Sequence, residues 1–229
     1  MEVQKQKTRK QKIYLRRKTF KNQPKKMSSF SLLFEGLQGN QADTTVLKSE
    51  GFPTTYGEVT EQGIRRLSDV FQRFCPLTGV PLYNRIYYDL GSGIGRTVLG
   101  LGLLNPDLRC IGIEIVPDRI KQSFTAFERA KKINKKIENR VAFYQKSFLD
   151  PSIHFTNACW IFISNLCFDA FTQERLGKKL KDELPENALL LCSKEFAELE
   201  EGASFKKHPS ETVGMSWNLG HSLHIYQKL

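Results

Sequence analysis

An α/β domain built on a seven-stranded, mainly parallel sheet is expected from three observations. β-rich runs alternate with helical patterns from residue 86 onward. The run ACWIFIS (158–164) is continuously apolar, as expected of a strand buried on both faces. A glycine-rich turn, Asp89-Leu90-Gly91-Ser92-Gly93-Ile94-Gly95, stands between a strand pattern and a helix pattern. Strands separated by helices are joined by right-handed crossovers, which make the sheet parallel.

The elements follow in order. Residues 27–60 read as an irregular lead-in. Thr60 precedes EQGIRRLSDVFQRF, in which Ile64, Leu67, Phe71 and Phe74 recur at helical spacing, and Pro76 and Gly79 close that helix. IYYDL (86–90) is the first strand, and the helix after the glycine turn runs to about Leu104, before Asn105-Pro106. LRCIGIEI (108–115) is the second strand, and Pro117 opens a helix to about Asn134. VAFY (141–144), ACWIFIS, a helix over 170–183 and ALLLCS (188–193) follow. MSWN and SLHIYQ are expected to close the sheet as an antiparallel hairpin. No internal repeat is visible.

The 229 residues, 40% of them hydrophobic, suffice for one sizeable core and exclude a wholly disordered chain. No apolar run approaches the roughly 18 residues of a membrane span, and no secretory signal is read at the N-terminus. Five cysteines, an odd number without a C-x-x-C pair, speak against a disulfide framework or a zinc site and suit a reducing intracellular compartment.

The net charge of +11 is concentrated at one end. Residues 1–26 hold eleven Lys or Arg and one acid, and the other residues hold 24 basic and 23 acidic groups. This tail is expected to be disordered when free. It reads as an arm for a polyanion, and Arg9-Lys10 with Arg16-Arg17-Lys18 suits nuclear import. A solubilising terminus is the ordinary alternative, and the charge alone does not separate DNA, RNA, nucleosomes and acidic membranes. The expected organisation is a basic tail (1–26), a small helical N-terminal lobe (27–80) and a core (81–229).

The glycine turn lets the backbone bend sharply and approach a ligand in front of helix N-terminal amides. A dinucleotide fingerprint calls for a third glycine at position 96, where Arg96 stands. The D-x-G-x-G-x-G spacing instead resembles motif I of S-adenosylmethionine-dependent methyltransferases. Glu114, 23 residues after Gly91, ends the second strand where an acid accepts both ribose hydroxyls.

Seven short blocks in order, from about residue 53 to the C-terminus, resemble the disruptor-of-telomeric-silencing family of non-SET histone lysine methyltransferases. Thr55-Tyr56-Gly57-Glu58 is similar to the Y-G-E of its cofactor-covering loop. Asp89 to Gly95 matches D-L-G-S-G-x-G, and Gly112-Ile113-Glu114 matches G-x-E. Ser147-Phe148-Leu149 is similar to D-F-L, whose residues flank the adenine. Phe162-Ile163-Ser164-Asn165-Leu166-Cys167-Phe168 is similar to F-V-N-N-F-A-F. Ser193-Lys194-x-Phe196 and Ser216-Trp217 complete the set. There are departures: Val59 stands for a threonine, Arg96 for a glutamine, Ser147 for an aspartate (with Asp150 as a substitute acceptor) and Ser164 for an asparagine. The tyrosine after S-W has no clean counterpart, with His224 and Tyr226 as candidates.

The resemblance implies a Rossmann-like methyltransferase domain of a compact, divergent, kinetoplastid-like type. It implies S-adenosylmethionine as cofactor, held by Tyr56, Gly57, Glu58, Val59, Asp89, Gly91, Ser92, Gly93, Gly95, Arg96, Glu114, Ser147, Phe148 and Asn165. The implied substrate is a lysine in the core of histone H3 in the nucleosome, in the nucleus, with DNA engaged by the basic tail. Free lysine, with a pKa of about 10.4, is almost wholly protonated at neutral pH, so the chemistry calls for a desolvating apolar channel. Phe162, Phe168 and Trp217 are candidates for it, and Asn165 with Ser164 for orienting the amine. Ordinary core packing is the competing reading for the two phenylalanines. Two other functions stay open: methyl transfer to RNA or to a non-histone protein, and a catalytically silent chromatin-tethered module. The N-P-P-Y-type motif that stacks a base amine is absent from the fourth strand end.

Overall fold

The computed structural model describes residues 29–52 and 54–229; the basic tail 1–26 lies outside them. Residues 33–229 form one compact unit, which carries the sheet.

Its sheet has the order β3-β2-β1-β4-β5-β7-β6. The strands are β1 (Ile86–Leu90), β2 (Arg109–Glu114), β3 (Val141–Gln145), β4 (Trp160–Ile163), β5 (Leu189–Cys192), β6 (Phe205–Val213) and β7 (His221–Lys228). β3, β2, β1, β4 and β5 are parallel, and β7 and β6 are added antiparallel. The main helices are α1 (Thr45–Ser49), α2 (Glu61–Phe74), α3 (Arg96–Leu104), α4 (Pro117–Ile133), α5 (Ala170–Glu183) and α6 (Ala197–Glu200). Among the described residues no helix is long and apolar enough to cross a membrane. All five cysteines are free thiols, and only Cys167 is exposed.

Every residue of β1, β4 and β5 is buried, which explains the unbroken apolar sequences of β4 and β5; β1 carries one charged residue, Asp89. α2 starts where Thr60 Oγ1 accepts the Gly63 N–H at 3.0 Å. Its buried stripe ends on Phe71, whose ring stacks on Trp160 at 4.8 Å. α5 starts where Asp169 Oδ1 accepts the Thr172 N–H at 2.7 Å.

Two expectations are corrected. The lead-in is not wholly irregular: it holds α1 and a 3₁₀ turn at Gly39–Gln41. The first arm of the terminal hairpin is FKKHPSETV (205–213), and MSWN is the connection to β7. The polar composition of β6 hides it, because an edge strand needs no apolar alternation and tolerates lysines. Pro209 falls in the register break between His208 and Glu211, where its missing N–H costs no ladder bond.

The strand order reverses between β1 and β4. In such a sheet the ligand crevice opens at the carboxyl ends of the strands at this point.

Candidate active site

The turn after β1 is shaped by three left-handed glycines, Gly91, Gly93 and Gly95, at φ 88°, 55° and 85°. The N–H groups of Gly91 and Ser92 both donate to Ile113 O, at 2.8 and 3.0 Å, so the turn is sewn to the end of β2. A Cβ at Gly95 would lie 2.6 Å from Phe143 Cζ, so that position has neither the backbone freedom nor the space for a side chain.

Two buried acids face this turn. Glu114 Oε2 accepts the Gly93 N–H at 2.9 Å, and Oε1 accepts the Val116 N–H at 2.9 Å. A carboxylate has about four acceptor positions, so these two bonds leave Glu114 acceptor capacity, and it lines the cleft. Asp89 accepts the Thr97 hydroxyl and forms no ion pair among the described residues. Burial, with the Glu114 charge second, raises its pKa well above the usual carboxylate range. A cation entering beside Asp89 relieves both effects.

Buried Arg119 ties the covering segment to this floor. Its Nε donates to Gly39 O at 3.1 Å and its Nη2 to Thr54 O at 2.6 Å. Its Nη1 lies 4.0 Å from Glu114 Oε1, and its guanidinium covers the Tyr56 ring at 4.6 Å. The Tyr56 hydroxyl donates to Glu58 Oε1 at 2.6 Å; burial first, and the Glu58 charge second, keep that phenol protonated. Arg96 holds the other side of the loop, with Nε on Val59 O at 3.3 Å and Nη1 3.5 Å from Glu58 Oε2.

The far end of the chain straps this loop. Val59 bridges Met215, and the Thr60 N–H donates to Gly214 O at 2.9 Å. The six-membered ring of Trp217 abuts Gly57, where a Cβ would come 1.9 Å from Cζ3. Trp217 remains 47% exposed and lines neither lobe of the cleft; it braces Gly57 from outside.

Beneath the strap the cleft has two lobes that share Tyr56, Gly57, Gly91 and Ser164. The larger has about 800 Å³ of empty space including its mouth, and Glu114, Ser147, Phe148 and Phe168 line it. Phe148 and Phe168 stack at 5.4 Å and give it an aromatic wall. Asp89, Gly93, Arg96, Thr97 and Phe162 line the smaller lobe. Buried Ser92 Oγ, which also borders the smaller lobe, has no hydrogen-bond partner.

The expected residues are placed unequally. Gly95 is the left-handed residue just before α3, and its role is to shape the turn. Ser147, not Asp150, reaches the cleft, because Asp150 Oδ1 accepts the N–H and O–H of Ser152. The Asn165 amide is committed inside the fold. Its Oδ1 accepts the Lys194 N–H at 2.8 Å, and its Nδ2 donates to Lys194 O and Gln173 Oε1 at 2.9 and 3.0 Å. It therefore fixes the loops after β4 and β5 to one another. His224 and Tyr226 are turned to Glu195 and Glu200, at 3.1 and 2.8 Å, away from the cleft. Sequence reasoning missed Arg119. Arg119 carried one signal: a cation in the first turn of a helix opposes the helix dipole and implies a compensating partner.

The donor set fits S-adenosylmethionine. Glu114 keeps acceptor positions for two vicinal hydroxyls, an aromatic wall adjoins them, and Asp89 offers a buried anion to an ammonium group.

Comparison with known proteins agrees. The family model described as histone methylation protein DOT1 matches residues 45–216. Curated proteins provide no match. Among solved structures, a methyltransferase from Geobacter sulfurreducens is similar with a TM-score of 0.52 at 18% identity, covering 90% of this chain and 100% of that one. The O-methyltransferase segment StiE 942–1257 is similar with a TM-score of 0.50 at 13% identity, covering 72% and 73%. These likenesses show the fold, a Rossmann-like methyltransferase domain. The family match spans most of the chain, and the chain belongs to the DOT1 histone methylation family, as an S-adenosylmethionine-dependent methyltransferase.

Proposed function

We propose that the protein methylates a lysine in the core of histone H3 within the nucleosome. The observation that carries this reading is the wall around Ser164: Ser164 lines both lobes, with Phe168 beside it in the larger and Phe162 in the smaller, under the Tyr56–Gly57 cover that both lobes share. An aromatic surround with one hydroxyl suits a long aliphatic chain ending in an amine.

In this reading Glu114 accepts the ribose hydroxyls, Ser147 and Phe148 contact the adenine, and Asp89 with the Gly91–Gly93 turn and Thr97 receives the amino-acid portion. Tyr56, Gly57, Glu58 and Val59 cover the cofactor, with Arg96 bracing that cover. When bound, the cofactor supplies an electrophilic methyl group that passes in line to an amine nitrogen. The chain's residues do the rest. Phe162 and Phe168 strip water from the incoming ammonium, which favours its neutral form. Ser164, which lines both lobes, is placed to accept a hydrogen bond from the amine and to align its lone pair. Asn165 acts one step behind it, by fixing the loop.

The same reading makes residues 27–80 the cover and 81–229 the catalytic core of a nuclear enzyme. The tail, with eleven basic residues and one acid over positions 1–26, anchors it to DNA by releasing counterions.

Labelled-methyl transfer to nucleosomes, free histones and RNA, followed by mass spectrometry of the products, tests the proposal. Label on an H3 core lysine is the expected result, and label confined to RNA overturns it. Deleting residues 1–26 is expected to weaken nucleosome methylation and flatten its salt dependence while cofactor binding persists.

A further inference from the structure

The loop after β4 and the first turn of α5 border the cleft from one side. Ser164, Phe168 and Thr172 line the larger lobe. Between them Leu166, Cys167, Ala170 and Phe171 are exposed, Leu166 to 44% and Phe171 to 66%. Phe52, which lines the same lobe from the covering segment, is 39% exposed. An apolar knuckle thus stands at the mouth of the cleft.

Its backbone is held from behind. Buried Asn165 is bound to Lys194 and Gln173, and its carbonyl accepts the Phe168 N–H at 3.3 Å. The Phe168 ring stacks on Phe148 inside the lobe. Asp169 accepts the Thr172 N–H at 2.7 Å and the Thr172 hydroxyl at 3.1 Å. The exposed side chains therefore stand on a preformed frame, which lowers the entropy lost on docking.

The chemistry of the knuckle selects the class of partner. Leu166 to Thr172 holds one charged residue, Asp169, and it is engaged by Thr172. Residues 158–174 contain no Lys or Arg, and Arg175 lies over the Phe171 ring at 5.2 Å. A phosphate backbone is held by several basic side chains, and this stretch offers none. Apolar and aromatic side chains with little charge between them mark the centre of a protein–protein contact.

We propose that Leu166, Cys167 and Phe171 form the docking surface for the protein that carries the target lysine, and that they receive an uncharged, apolar patch beside that lysine. The proposal rests on the lysine reading above. In that reading the basic tail addresses DNA, and the knuckle addresses the histone.

Cys167 is a built-in reporter, because the other four thiols are buried. The full chain, saturated with S-adenosylhomocysteine, is pulsed with N-ethylmaleimide and read by mass spectrometry. It is pulsed alone, with nucleosomes and with naked DNA of the same length at matched salt. Interface cores exclude solvent, so bound nucleosomes are expected to slow alkylation of Cys167 about tenfold or more. Naked DNA, held by phosphate contacts, is expected to leave the rate within about twofold. Cys167 left open by bound nucleosomes overturns the proposal, and so does equal shielding by DNA. In steady-state methylation, Leu166→Asp and Phe171→Asp are each expected to raise the nucleosome KM about tenfold while kcat stays within about twofold. Calorimetric affinity for S-adenosylmethionine should match wild type in both. An unchanged KM in both variants overturns the proposal, and if neither folds the alkylation of wild type decides. The two failures are distinguishable. Absence of label on H3 overturns the substrate reading, whereas labelled H3 with Cys167 open or KM unchanged overturns the docking surface alone.

Discussion

Glu58 and Ser216 exchange two hydrogen bonds across 158 residues of sequence: the Glu58 N–H donates to Ser216 Oγ at 3.1 Å, and the Ser216 N–H donates to Glu58 O at 2.7 Å. The cofactor-covering loop is therefore half of a two-stranded roof whose other half comes from the chain's last quarter. The integrity of the site depends on that closure.

Gly57→Ala is expected to displace Trp217, because the added Cβ would fall 1.9 Å from the indole. The half-exposed ring can swing out, so stability should change little while methylation falls about tenfold or more through lost alignment. Because both changes act on one contact, Trp217→Ala should be about as slow as the Gly57→Ala/Trp217→Ala pair. Additive losses in the double variant would show that the two residues act separately.

Glu114→Gln keeps an acceptor for one backbone N–H but loses the charge. Hydrogen bonds to charged groups contribute about 1.5–3 kcal/mol, so cofactor affinity should drop about ten- to a hundredfold in calorimetry. An unchanged Kd would place the ribose elsewhere.

Asp89 yields a prediction of opposite sign for stability and binding. Its pKa is raised in the folded protein, so between the unfolded value near 3.8 and the folded value the native state binds more protons. Stability contributed by this group therefore falls as pH rises through that window. Asp89→Asn should raise the cofactor-free Tm at pH 7 by about 2–4 °C, with the gain shrinking toward pH 4. The same variant should bind S-adenosylmethionine far more weakly. Thermal melts across pH 4–8 and calorimetry read the two effects separately.

Arg119→Met leaves Thr54 O without its donor and Gly39 O with only the Ala42 N–H at 3.5 Å. An unpaired buried carbonyl costs about 1–3 kcal/mol, so chemical denaturation should report at least that loss. Cofactor affinity should fall with it, since the cover is no longer tied to the Glu114 floor. A variant as stable as wild type would mean that water replaces the guanidinium at no cost.

Gly93→Arg is expected to abolish cofactor binding. Position 93 is left-handed at φ 55°, and a Cβ there would already lie 2.7 Å from Tyr56 Cε2. Undiminished methylation by this variant would move the amino-acid portion of the cofactor out of the smaller lobe.

The sequence by itself determined what local physics determines. Apolar periodicity located the parallel strands and their helices, because a strand covered on both faces must be apolar throughout and an amphipathic helix must repeat every three to four residues. The glycines at 91, 93 and 95 declared the turn, because left-handed backbone and close packing admit little else. Only the tertiary structure decided which polar side chains face the cleft. Asn165 looked free in a motif, yet its amide joins two loops. His224 and Tyr226 shared a plausible spacing, yet the β5–β7 pairing turns them to Glu195 and Glu200. Arg119 carries no motif, and its bonds to Gly39 O and Thr54 O join segments 80 and 65 residues apart in sequence. The β6 edge escaped for the same reason: its place is set by pairing with β7 and not by any pattern of its own. Burial leaves a periodic trace along the chain, whereas hydrogen-bond partnership between remote segments leaves none.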